Sequence, residues 1–299
     1  MLIASERQIA LKNILFATDF EVSASRALPF AVALTKRYGA KLYAVHVIPP
    51  EAYSLASPES ARRVLAEAGD FAGYSLNQIL GPLRRHGLRC DALLGEGNVA
   101  EVIEEFVKEH TADLLVLGTS SRMGLGKAFL GSIAEELIRE SPCPVLAVGP
   151  HVTTLASDGV RSIVCATDFS DASARATQFA ISLADEYQAH LTLVHVLQDR
   201  PKDSLHLTAQ VIEKRMLDTI PAEPELPYRP EIVVETGSVA DRILNLAADL
   251  SADVIVMGVR GVGSFAEMAS HFGSIAHKVV SFALCPVLTV NDVPKLARQ

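Results

Sequence analysis

Asp19 and Asp168 each follow Ala-Thr in an Ala-Thr-Asp-Phe stretch, and the segment from Gly118 to Ser132 reads G-T-S-S-R-M-G-L-G-K-A-F-L-G-S. A carboxylate after a strand can accept hydrogen bonds from ribose hydroxyls or a base amino group, or it can merely cap the next helix, and spacing alone favours the cap. The glycine segment follows the apolar run Asp113 to Leu117 and precedes I-A-E-E-L-I-R-E, so it reads as a strand-to-helix loop. Ser132 with Glu135 has capping-box spacing, which predicts that the helix begins there with its positive dipole end towards the loop. Gly124, Gly126 and Gly131 permit close backbone approach, and Arg122 and Lys127 add positive charge with no carboxylate between Gly118 and Ser132. The ligand implied is a phosphate group; the competing reading is a loop that only turns. The segment is neither G-x-x-x-x-G-K-[ST] nor a clean G-x-G-x-x-G after a first strand.

Other reactive residue types point to packing. His46 and His195 lie in V-H-V runs, where a single histidine reads as a hydrogen-bonded structural residue. Cys90, Cys143, Cys165 and Cys285 form no C-x-x-C pair and no metal-spaced cluster, which predicts buried reduced thiols and no metal site. The net charge is −8, and neither half is basic: 15 basic and 17 acidic residues precede residue 151, against 12 and 18 after it. With no Trp and few aromatics, nucleic acid is excluded as a partner. The N-terminus lacks a signal-peptide core and no apolar run reaches membrane-spanning length, so a soluble, cytoplasmic protein is expected.

The elements that position these residues occur twice. N-I-L-F-A-T-D-F from Asn13 returns as S-I-V-C-A-T-D-F from Ser162, an offset of 149 shared by His46 and His195. A-D-L-L-V-L-G ending at Gly118 returns as A-D-V-I-V-M-G ending at Gly258, an offset of 140, and C-P-V-L at Cys143 returns at Cys285, an offset of 142. The second copy therefore has a shortened second helix, followed by a proline loop (Pro221, Pro224, Pro227, Pro230), and a glycine loop two residues longer. Each copy alternates strand and helix to give five strands and four helices, which predicts an α/β fold with a parallel sheet covered on both faces. In copy one the helices are expected near Val22–Tyr38, Pro58–His86, Val99–His110 and Ile133–Glu140. Asn98 with Glu101, and Ser238 with Asp241, are candidate caps. Domain boundaries are placed at 1–150 and 151–299, with a linker near Gly149 to Gly159.

The loop spacing resembles that of the universal stress protein family, whose pattern is G-x-x-G, nine residues, then G-[ST]. Gly118, Gly131 and Ser132 match, and Ser121 stands where the family has its second glycine. If that position needs positive φ, serine there costs about 1–2 kcal/mol. The resemblance spans nearly the whole chain. It implies tandem open-sheet domains of strand order 3-2-1-4-5, paired through their final strands as a pseudo-dimer, with Val145–Val148 against Val287–Val290. The linker reaches roughly 40 Å at about 3.3–3.6 Å per residue, enough for that pairing to be intramolecular and to leave any further homodimer to other surfaces.

The resemblance also implies ATP, or ADP or AMP, with Mg as an optional companion. Its site would be Ala17, Asp19 and Val47 on the adenosine, with Gly118, Ser121, Arg122, Gly131, Ser132 and Ile133 around the phosphates. In copy two, Asp168, Val196, Gly258, Gly261, Gly273 and Ser274 form a weaker second site, because eleven residues separate the inner glycines and Glu267 would repel phosphate. Three functions are therefore set against each other: a nucleotide-binding stress-response regulator, a tandem scaffold that binds protein clients without nucleotide, and an enzyme turning ATP over. The last is disfavoured because Gly118 to Ser132 holds no Asp, Glu or His to position water, although slow hydrolysis stays open.

Overall fold

The computed structural model describes residues 9–54, 57–120, 130–153, 159–198, 205–220, 229–259 and 269–291, with the backbone alone at 205–208 and 269–274. In the first copy the order is β1 (Asn13–Ala17), α1 (Val22–Tyr38), β2 (Lys41–Ile48), α2 (Pro58–Arg85), β3 (Cys90–Glu96), α3 (Val99–Glu109), β4 (Leu114–Gly118), α4 (Ser132–Glu140) and β5 (Val145–Val148). The second copy repeats it as β6 (Ser162–Ala166), α5 (Asp171–Tyr187), β7 (His190–Leu197), α6 (Leu205–Asp218), β8 (Glu231–Thr236), α7 (Val239–Asp249), β9 (Val254–Val259), α8 (Ala269–Phe282) and β10 (Val287–Asn291).

All ten strands form one sheet, in the order β3-β2-β1-β4-β5-β10-β9-β6-β7-β8. Every neighbouring pair is parallel except β5 and β10, which run antiparallel with Leu146 opposite Leu288. The central strands are apolar throughout, as sheets covered on both faces require. Ile14 and Phe16 enter one core layer and Leu15 the other, following the two-residue alternation of a strand. Both layers contain residues of both copies, so the core is continuous across the seam.

The seam is built from repeat-related positions. Phe30, Leu34 and Tyr38 of α1 and their offset-149 counterparts Phe179, Leu183 and Tyr187 of α5 line an apolar cavity of about 90 Å³ beside β5 and β10. At the next pair of matching positions the copies differ in charge. Arg37 lies 3.6 Å from the Glu186 carboxylate, donates to the Glu186 carbonyl at 2.7 Å and covers the Tyr187 ring at 3.8 Å. Burial pushes the Tyr38 hydroxyl pKa upward.

Several local expectations can be checked residue by residue. Asn98 caps α3, accepting from the Ala100 and Glu101 N–H groups at 3.0 and 3.3 Å. Ser238 precedes α7 but makes no side-chain cap. Lys278 and Ser238 instead hold Asp241 and lower its pKa. All four cysteines are free and buried, and burial raises Cys143, Cys165 and Cys285 to about 12. The proline loop lies outside the described residues except for Pro230.

Candidate functional site

In each copy the chain winds outward from β1 or β6 on one side and from β4 or β9 on the other, so the winding reverses between those strands. Their carboxyl ends flank a cleft, the place where ligands enter open α/β sheets. In copy one the cleft has a volume of about 580 Å³ and is lined by Ala17, Asp19, Val47, Gly118, Gly131, Ser132 and Ile133, among others.

The strand-end half is set by a strained turn. The Thr18 hydroxyl accepts from the Phe20 N–H at 3.0 Å, and Asp19 Oδ1 accepts from the Glu21 N–H at 2.9 Å. Between them Phe20 is held at φ 64°, which a bulky residue rarely adopts. Its ring stacks on His46 at 4.4 Å, and His46 Nδ1 lies 2.8 Å from the Thr18 carbonyl, so that nitrogen carries the proton and donates. Histidine thus holds the backbone turn that presents Asp19. Asp19 does not cap α1; the N-cap is Glu21, which makes no side-chain cap.

Gly118 closes β4 where the strand meets the start of α1. A Cβ there would lie 2.0 Å from the Ser23 carbonyl oxygen, so packing within the protein already demands glycine at this position. Across the cleft α4 begins, with Gly131 as its N-cap. This corrects the capping-box expectation: the helix starts one residue early, Ser132 is its first residue, and the Gly131 carbonyl accepts the Glu135 N–H at 2.9 Å. No side chain among the described residues therefore caps the first turn, and its N–H groups, which have no partner within a helix, border the cleft. Gly131 has φ −60° and open space where a Cβ would be, so nothing in the described protein requires a glycine there.

The second cleft, about 310 Å³, repeats the strand-end half and not the helix half. Asp168, Val196 and Gly258 line it, Phe169 again has φ 64°, and His195 Nδ1 lies 2.7 Å from the Thr167 carbonyl. A Cβ on Gly258 would meet the Ser173 N–H nitrogen at 2.3 Å, matching Gly118. The Asp168 carboxylate, however, accepts from both the N–H and the hydroxyl of Ser170, at 3.0 and 2.5 Å. Gly273 and Ser274, expected at a helix start, lie in the second turn of α8, which begins at Ala269. Their N–H groups face backward into the helix, so this half of the second site is not assembled.

Ser121, Arg122 and Gly261, with Gly124, Gly126, Lys127 and Glu267, lie outside the described residues. The cleft of copy one also draws in His46, read from sequence as structural, and residues the sequence did not single out: Thr18, Thr119 and Leu130. Thr119 is 2% exposed, and its hydroxyl has no hydrogen-bond partner among the described residues. The polar triplet Thr119-Ser120-Ser121 after β4 was the available signal. No group of three metal-ligating side chains occurs among the described residues, and no described helix is long and apolar enough to cross a membrane.

Comparison with known proteins follows the same two-copy division. The profile of the universal stress protein family matches residues 10–149 and again 159–291. A universal stress protein of Thermus aquaticus is 35% identical over 147 residues, which is 46% of this chain and 98% of that one. One from Mycobacterium tuberculosis strain H37Rv is 24% identical over 257 residues, 81% of each chain. The crystal structure of a universal stress protein from Archaeoglobus fulgidus superposes with a TM-score of 0.72 at 20% identity, covering 93% of this chain and 98% of that one.

Proposed function

This chain belongs to the universal stress protein family, and from that premise we propose that its first domain binds an adenine nucleotide, ATP or its di- or monophosphate, as a regulatory signal in stress response. The observation that carries the reading is the pairing, across one cleft, of the Asp19 and Val47 strand ends with the uncapped start of α4. The residues fit such a ligand. The cleft volume lies within the roughly 300–1,000 Å³ usual for small-molecule sites, and the buried Thr119 hydroxyl offers a hydrogen bond that the described protein leaves unused. Asp19 and Val47 would hold the nucleoside, and Gly131, Ser132 and Ile133 the phosphates, with Mg²⁺ as an optional companion there. The role is binding rather than turnover, because the sequence from Gly118 to Ser132 holds no Asp, Glu or His to position water beside the phosphates.

A second reading, a scaffold without nucleotide, is favoured for domain 2 alone by its engaged Asp168 and its internal Gly273 and Ser274. Thermal denaturation tests the proposal. ATP at about 100 times its Kd adds roughly 2.7 kcal/mol, a rise of about 2–4 °C for domains of this size. No shift with ATP, ADP or AMP rejects it.

A further inference from the structure

Domain 2 holds α4, the helix wall of the first cleft, at both ends. Just before the helix, the Leu130 N–H donates to Nε2 of His277 on α8 at 2.8 Å. Just after it, the carbonyl of Ser141, the residue that ends α4, accepts from Asn291 Nδ2 at the end of β10 at 2.9 Å. Between these contacts α8 lies flush against domain 1: a Cβ on Gly149 would sit 2.6 Å from the Val280 carbonyl oxygen. His277 and Val280 are three residues apart and share one helix face. Leu130 is 6% exposed and lines the cleft, so its N–H has little access to water as a substitute partner.

Among the described residues the repeat does not supply these contacts in reverse. By the offset of 142, the positions matching His277, Asn291 and Ser141 are Glu135, Gly149 and Ala283. Gly149 has no side chain to reach across the seam as Asn291 does. The two halves have therefore taken different parts at their common boundary.

We propose that domain 2 positions the anion-binding end of domain 1, with His277 as the positioning residue that fixes the start of α4. Its Nε2 accepts a hydrogen bond, so the proton of the neutral ring sits on Nδ1. The N–H groups that α4 turns towards the cleft follow directly after Leu130, and their direction depends on where that residue is anchored. The effect on ligand rests on the nucleotide reading; the anchoring itself does not.

The test uses the full chain with His277→Leu, which removes the acceptor, and His277→Gln, whose amide oxygen restores one. Amide exchange at Leu130, read by NMR on ligand-free protein, reports the anchor, and calorimetric titration with ATP and with adenosine reports the site. His277→Leu is expected to speed exchange at Leu130 and to weaken ATP about fivefold, the effect of one lost hydrogen bond. Adenosine affinity should be unchanged, and His277→Gln should recover both losses. Unchanged Leu130 exchange in His277→Leu overturns the anchor. Faster exchange with unchanged ATP affinity, or an equal loss for adenosine, overturns the positioning role. A wild-type chain that binds no ATP rejects the nucleotide reading instead, and Leu130 exchange still decides the anchor.

Discussion

The two clefts agree where they hold backbone and differ at the helix wall. Thr18 and Thr167, Phe20 and Phe169, His46 and His195 repeat the same strained turn, with matching carbonyl contacts of 2.8 and 2.7 Å. Gly118 and Gly258 repeat the same close approach to the first helix of their own copy, α1 or α5. The helix walls then diverge: α4 starts at the cleft with Gly131 before it, whereas α8 starts at Ala269 and runs through Gly273 and Ser274. Features required for folding are kept in both copies, and the helix start at the cleft, which the fold does not require, is present in one. The second domain keeps the fold and gives its helix face to the seam.

Several substitutions would break or sharpen that comparison. The largest effect is expected from Leu146→Asp combined with Leu288→Asp, which places two carboxylates opposite each other in the middle of the buried seam. Each uncompensated buried charge costs several kcal/mol, so the melting temperature should fall steeply and small-angle scattering should show the halves separating. Unchanged compactness would mean that the final strands do not hold the halves together.

Alanine at the glycines comes next. Gly118→Ala and Gly258→Ala should each lower stability by about 1–3 kcal/mol, the usual cost of overpacking. Gly131→Ala should leave stability within about 0.5 kcal/mol and weaken ATP. Chemical denaturation distinguishes these; equal losses at all three positions would put Gly131 in the packing class.

The smallest effect is at Arg37 and Glu186, an ion pair whose side chains are 39% and 24% exposed. Because the pair is partly screened, Glu186→Arg should cost about 0.5–1 kcal/mol, and Arg37→Glu in the same chain should recover most of it. A double-mutant cycle without coupling would show that charge plays no part in matching the two halves.

Much of this was legible because the repeat is long. Matching Asn13 to Ser162 and Cys143 to Cys285 locates every strand, and a short apolar run before each turn says which ones are buried. Asn98 was readable as a cap because the interaction spans three residues. The start of α8 was not, since Gly273-Ser274 looks like Gly131-Ser132; the residues before it, A-S-H-F, accept helical geometry, and the longer loop gives the helix room to begin earlier. Gly118 carried the right residue type for a different reason, because the Ser23 carbonyl that excludes a side chain belongs to a helix far back in sequence. His277 had no local signal at all, as its partner lies 147 residues away in the other domain.

The central claim, one adenine-nucleotide site per chain and that site in domain 1, is tested most directly by the stoichiometry of ATP binding to the full chain in isothermal titration calorimetry. The account predicts one ATP per chain, lost in Asp19→Ala and kept in Asp168→Ala. Two sites per chain, or binding that survives Asp19→Ala and disappears in Asp168→Ala, would contradict it.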